Sequence, residues 1–189
     1  MSGTKHDQTN DVVAYLAEMF DTLGDQEYLG EQVSMATHML QAAHFAKRQN
    51  ASDAEVAAAL LHDVGHFAND IEASVSAHGV DALHEHAGAE FLARFFPPEV
   101  VEPVRQHVAT KRYLCAVDAS YFDRLSPASV HTLELQGGPM SAEEVAQFEK
   151  NPHLQSCISV RKWDEAGKDP ALETANFCDY IPLLKRLLL

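Results

Sequence analysis

The chain has 189 residues and a mass of 20.8 kDa, and its 46 % apolar and 22 % charged content fits one globular domain rather than disorder. Lys and Arg number 14 against 28 Asp and Glu, a net charge of −14, which argues against a nucleic-acid or anionic-membrane surface but leaves room for a small anion at a buried metal. Cys115, Cys157 and Cys178 lie far apart and fit a reduced compartment; with no signal-peptide core and no apolar run of roughly 20 residues, a soluble cytoplasmic protein is expected.

Asn10 is placed to cap a first helix with Val12, Val13, Leu16, Phe20 and Leu23 at helical spacing, and Gly24 is its stop. After a loop at 25–30, a second helix is expected at about 31–49, carrying Met35, His38, Met39, Ala42 and Phe45 on one stripe. Ser52 and Glu55 form a capping box that opens an Ala-rich helix running through His62, Asp63 and His66. A loop is expected at 68–79, then a helix at about 80–96 stopped by Pro97-Pro98. The next helix spans about 99–113, with Pro103 as an alternative start. Ser126-Pro127 reads as an N-cap with proline at the first helical position. Ser141 and Glu144 make a second capping box after the turn Gly137-Gly138-Pro139, and Asn151-Pro152 precedes a helix containing Arg161, Trp163 and Asp164. An apolar tail from Asn176 includes Pro182. No alternating β pattern, repeat or linker interrupts this order, so an all-α single domain of seven to nine helices is expected.

The unusual count is 11 histidines. In Leu61-His62-Asp63-Val64-Gly65-His66, adjacent imidazole and carboxylate can turn toward one cavity, a donor pair suited to Fe, Mn, Co, Ni or Zn rather than Ca or Mg. His66 lies one turn after His62, and Gly65 permits close backbone approach. His38, His84, His107 and Asp164 sit on four further helices. Singly, each has a plain reading as a core histidine, a cap or a salt-bridge partner. Together, the order H…HD…H…H…D across five helices points to convergence on one interior metal cavity.

That order resembles the HD-domain superfamily of metal-dependent enzymes, over about 28–168 within a single 1–189 domain. The resemblance implies that His38, His62, Asp63 and Asp164 hold a first metal, and that His84 and His107 hold a second with Asp63 bridging. Most such proteins hydrolyse phosphate esters. A small branch instead holds two irons and uses dioxygen, as in myo-inositol oxygenase and 2-amino-1-hydroxyethylphosphonate dioxygenase. Tyr28-Leu29-Gly30-Glu31, the HD segment, His107 to Leu114, LELQGGPM at 133–140 and Arg161-Lys162-Trp163-Asp164-Glu165 are similar to the phosphonate-cleaving members.

The resemblance implies that His66, Lys111, Ser129 and Arg161 hold a phosphonate, and that Tyr28 and Glu31 form a loop over the open metal, with Glu31 toward the substrate's amino end. The plain readings are surface ion pairs for Lys111 and Arg161, and a loop tyrosine and first-turn acid for Tyr28 and Glu31. The implied reaction is O2-dependent cleavage of a carbon–phosphorus bond at a mixed-valent Fe(II)/Fe(III) pair, giving phosphate and a carboxylic acid. Tyr28, Glu31 and Met35 suit a quaternary ammonium, so 1-hydroxy-2-(trimethylammonio)ethylphosphonate, yielding glycine betaine, is expected ahead of the free-amine compound. A two-metal phosphohydrolase or phosphodiesterase shares every ligand and remains open here, as does a catalytically silent HD sensing module. The expected partner is a small organophosphonate, with neither nucleic acid nor membrane; nothing in the pattern specifies an oligomer.

Overall fold

The structure, a computed structural model, describes residues 5–28, 30–70 and 84–189, with ten α-helices and no strand among them. Helix α1 spans Lys5–Leu23. Asn10 therefore lies inside it rather than at its cap: no Pro or Gly interrupts 5–23, so the helix extends back through the polar segment. The Gly24 N–H closes the last turn onto the Phe20 carbonyl at 3.1 Å.

Helix α2, Met35–Arg48, begins later than its hydrophobic stripe suggests, with Ser34 as N-cap. The intervening segment folds into a clip. Glu27 and Ser34 form an antiparallel bridge, the Tyr28 N–H bonds the Val33 carbonyl at 3.2 Å, and the Met35 N–H bonds the Gln26 carbonyl at 2.9 Å. These contacts consume the amides that an earlier helical start would need.

Helix α3, Asp53–Leu61, opens on the expected Ser52–Glu55 capping box and stops at His62. The HD segment is thus not continuous α-helix. Val64–Asp70 forms a 3-10 helix, which covers the start of the expected 68–79 loop; 71–83 lie outside the described residues. Helix α4 is His84–Leu92, so the expected start near 80 also lies outside them. A tight turn at 93–96 separates it from α5, Pro98–Val117, which starts at Pro98 and carries Pro103 inside. The four-residue α6, Ala119–Phe122, is an addition to the helices read from periodicity, capped by Asp118. Helix α7, Pro127–Leu135, is capped by Ser126, and α8, Ala142–Phe148, by the Ser141–Glu144 box. Helix α9 is Leu154–Ala166; a 3-10 turn at Phe177–Tyr180 and α10, Ile181–Arg186, form the tail.

Helices α2, α3, α5 and α9 pack on one another around the main core, with α4 against α5 and the 3-10 helix, and α1 and α10 along the outside. The core is built from Leu16, Met39, Leu60, Leu61, Phe67, Leu92, Phe96, Val104, Val160 and Leu184. Met35 and Trp163 are packed within it, and Met140 packs on a smaller cluster around Tyr113, Leu114 and Tyr121. No helix among the described residues is long and apolar enough to cross a membrane.

Gly65 sets the position of α4. A Cβ there would lie 1.9 Å from the His84 carbonyl oxygen and 2.9 Å from the Gly88 nitrogen, so the start of α4 rests directly on the glycine backbone. Gly65→Ala should therefore push α4 away, at a cost of at least about 1–3 kcal/mol for an over-packed site. The expected readout is a lower urea midpoint together with reduced metal content, because His84 moves with the helix.

Candidate metal centre

Six of the sequence-predicted ligands meet in the middle of the bundle: His38 from the first turn of α2, His62 and Asp63 from the end of α3, His84 from the start of α4, His107 from α5 and Asp164 from α9. All are buried except His84, which is half-buried. Their donor atoms fall into two groups, His38–His62–Asp63 and Asp63–His84–His107.

Asp63 divides its carboxylate between them. Its Oδ2 lies 3.6 Å from His38 Nε2 and 3.3 Å from His62 Nε2, while Oδ1 lies 3.5 Å from His84 Nε2 and 3.2 Å from His107 Nε2. Asp164 adds Oδ1 to the first group, 3.4 Å from His38 and 3.8 Å from His62.

Main-chain carbonyls set the protonation of three of these rings. His38 Nδ1 lies 2.8 Å from the Gly167 carbonyl, His62 Nδ1 2.8 Å from Ala59 O, and His107 Nδ1 2.7 Å from Val104 O. A carbonyl only accepts, so each Nδ1 must carry the hydrogen and each neutral ring presents its Nε2 lone pair to the cavity. Gly167 can come this close because it lacks a side chain: a Cβ would stand 2.9 Å from the His38 carbonyl.

These donors fit bound metal ions. The Nε2 atoms of His38 and His62 approach to 3.0 Å, as do those of His84 and His107. Lone pairs facing each other at that distance repel unless a cation lies between them. An ion about 2.1 Å from each donor places neighbouring donors about 3 Å apart. The charge balance agrees. Burial opposes a proton on His62, but Asp63 and Asp164 overcome it and lift its pKa to about 9. Burial likewise opposes the charge on Asp63, which the surrounding imidazoles, His62 foremost, nonetheless hold well below the usual carboxylate range. Asp164 Oδ1 is buried with no hydrogen-bond partner. The site gathers lone pairs and negative charge at one place, and mixed N/O donors suit a transition metal.

A cavity borders the second group, lined by Tyr28, His66, Lys111, Ser129, Thr132, Gln136 and Arg161 together with Asp63, His84 and His107. Five of the six residues predicted beyond the ligands thus share it. Tyr28 stacks on His38, with ring centroids 3.8 Å apart and 15° between planes, and its hydroxyl feels the negative charge of nearby Asp63. Burial, then Asp63 and Asp164, push that hydroxyl's pKa well above its ordinary value, so it stays protonated. His66 stacks on His84 at 4.0 Å with its Nε2 buried and unpartnered, and burial lowers its pKa to about 4. Lys111 is buried, its ammonium bonded to Thr132 Oγ1 at 2.7 Å; burial and the nearby Arg161 bring its pKa down to about 8.

Arg161 is heavily committed. It donates to the Tyr121 hydroxyl at 2.8 Å, to Asp164 Oδ2, and to Glu165 Oε2 at 2.5 Å, so it steadies the Asp164 carboxylate as well as lining the cavity. Glu31, the sixth residue, stands aside from the cavity wall. Its carboxylate accepts from Ser126 Oγ and lies 3.2 Å from Lys168 Nζ, which also bonds Ser129 Oγ and Glu165 Oε1, each at 2.8 Å. Met35 is in the apolar core and not in the cavity wall. His86, two residues from His84, points outward with half its side chain exposed.

Sequence reasoning gave no role to Lys168, Glu165, Thr132 or Gln136. Arg161, Glu165 and Lys168 recur at i, i+4 and i+7 and could have been read as one polar ridge. Gln136 had no such signal.

An HD domain family model matches residues 35–128, a span that includes five of the six ligands and ends before Asp164. The chain is 49 % identical over 176 residues, covering 93 % of it and 90 % of the relative, to a [1-hydroxy-2-(trimethylamino)ethyl]phosphonate dioxygenase (glycine-betaine-forming) of Leisingera caerulea. It is 42 % identical over 169 residues to a hydroxymethylphosphonate dioxygenase of Gimesia maris, covering 87 % of this chain and 84 % of the relative. An uncharacterised protein of Acanthamoeba polyphaga mimivirus is 28 % identical over 155 residues, 81 % of this chain and 71 % of the other.

The geometry makes a graded expectation for metal content measured by plasma mass spectrometry. Because Asp63 faces both donor groups, Asp63→Ala should lower bound metal further than His38→Ala or His107→Ala, each of which removes a ligand from one group only.

Proposed function

We infer the activity from one premise: this chain belongs to the HD-domain phosphonate dioxygenases. It is an enzyme that cleaves the carbon–phosphorus bond of a 1-hydroxyphosphonate with O2, and the proposed substrate is 1-hydroxy-2-(trimethylammonio)ethylphosphonate, giving glycine betaine and phosphate. The observation that carries this reading is the placement of a buried, under-bonded Lys111 ammonium beside two histidine groups that share Asp63. An anion and a metal pair can then meet in one cavity.

His38, His62, Asp63 and Asp164 would hold one iron, and Asp63, His84 and His107 the other. Such a pair, as Fe(II)/Fe(III), supplies the electron transfer to O2 that side chains alone lack. The stoichiometry needs no outside reductant. A C–H and a C–P bond of the substrate give up four electrons to O2, whose two oxygen atoms end in the carboxylate and the phosphate.

The protein's own groups bind and orient. Lys111 supplies charge and N–H donors for the phosphonate; Arg161 adds positive charge from the far wall, Ser129 a hydroxyl, and neutral His66 a ring nitrogen beside His84. Tyr28 covers His38 and lines the cavity beside Asp63, so substrate entry displaces its side chain. The same clip bears Glu31 three residues on, and an aromatic face with a carboxylate suits a quaternary ammonium that cannot donate hydrogen bonds. The unit that forms the site is proposed to run over 28–168, closed at its end by Lys168.

Iron-loaded protein should show an electron paramagnetic resonance signal of a coupled mixed-valent pair, and should consume O2 with release of phosphate when given the trimethylammonio substrate. A preference for the free-amine or hydroxymethyl compound would reassign the substrate. Hydrolysis of phosphate esters with Mn(II) and no O2 uptake would overturn the reading in favour of a phosphohydrolase.

Lys111→Met tests the anion site. Losing hydrogen bonds from a charged donor is worth about 1.5–3 kcal/mol, so KM should rise about 10- to 100-fold. Metal content should stay at the wild-type level, because Lys111 contacts no ligand of either group among its hydrogen bonds.

A further inference from the structure

Polar groups that face the cavity differ in what they have left to offer. Ser129 donates its hydroxyl to Glu165 at 3.0 Å and accepts from Lys168 at 2.8 Å. Thr132 donates to the Ser129 carbonyl at 3.1 Å and accepts from Lys111 at 2.7 Å. Arg161 is bonded to Tyr121, Asp164 and Glu165. Set against these is Gln136, at the C-terminal cap of α7, whose carboxamide oxygen is buried against the cavity with no hydrogen-bond partner.

A buried amide atom left unbonded costs about 1–3 kcal/mol. Nothing in the apolar packing of α7 requires a glutamine there, since the buried residues of that helix are Ser129 and Leu133. We propose that Gln136 is a binding residue of the anion cavity, its carboxamide completing with Lys111 and His66 the set of groups free to hydrogen-bond the oxyanion. Half a turn of the carboxamide exchanges its oxygen and its NH2 without moving any other atom, so the same side chain presents two N–H donors to a tetrahedral oxyanion. Neutral donors also allow a dianion to sit between Lys111 and the metals without adding repulsion toward those cations. This inference rests on the phosphonate reading above for the identity of the anion, and on the cavity alone for its charge.

Two variants of the metal-loaded enzyme test it: Gln136→Met, which keeps length and removes both hydrogen-bonding atoms, and Gln136→Glu, which replaces the amide with a carboxylate. Each is first checked for wild-type circular dichroism and metal content. Inorganic phosphate is the probe for calorimetric binding, and KM is measured for the trimethylammonio, free-amine and hydroxymethyl compounds. The expected result is about 10-fold weaker phosphate binding and a similar KM increase on all three compounds for Gln136→Met, with a larger loss for Gln136→Glu. Unchanged phosphate affinity in Gln136→Met, or a KM change confined to the compounds with a cationic end, overturns the assignment. If the wild type takes up no O2 with any of the three while phosphate binding still weakens in Gln136→Met, the oxygenase reading fails and the anion-binding role of Gln136 stands.

Discussion

A carboxylate shared between two pairs of histidines is the constraint around which this bundle is arranged. Asp63 turns one oxygen to His38 and His62 and the other to His84 and His107, and it does so from the first turn after α3, where the chain leaves helical geometry. Four helices and a 3-10 segment must be held at fixed distances for both oxygens to find partners. The apolar core supplies that rigidity, and the close seat of α4 on Gly65 supplies the last ångström.

Charge in the interior is balanced in series. Asp164 faces the first histidine pair with one oxygen and Arg161 with the other; Arg161 reaches Glu165, Glu165 reaches Lys168, and Lys168 reaches Glu31 on the clip that bears Tyr28. Buried charges are costly unless paired, and here Arg161, Glu165 and Lys168 each stand between two opposite charges. The alternation links the Asp164 carboxylate to the segment that covers the site. Tyr28 closes the loop by returning from that segment to Asp63 and His38.

Much of this could be read from residue order. The capping boxes at Ser52 and Ser141, the Ser126-Pro127 start and the Gly24 stop are local devices, and each appears where its residues predict. The clustering of His38, His62, Asp63, His84, His107 and Asp164 was legible because imidazoles at helical positions on separate segments have few other reasons to recur. What escaped was non-local. The clip at 27–34 has no periodicity, so α2 seemed to begin too early on its hydrophobic stripe alone. The break in the HD helix depends on α4 pressing against Gly65, a contact between segments distant in order. Glu31 was expected at the cavity, but Ser126 and Lys168 engage it from the side. Gln136 reads as an ordinary helix-end residue until the commitments of its neighbours are known.

Three of the four histidines take their tautomer from peptide oxygens, two of them from the turn immediately before the ring on the same helix. Those two local anchors survive any side-chain replacement that leaves the helix intact. The cavity wall, by contrast, is made of side chains from α5, α7, α9 and the clip. The wall can therefore change its side chains while the backbone-anchored histidines stay in register, and two relatives of this chain are named for compounds as unlike as a quaternary amine and a one-carbon phosphonate.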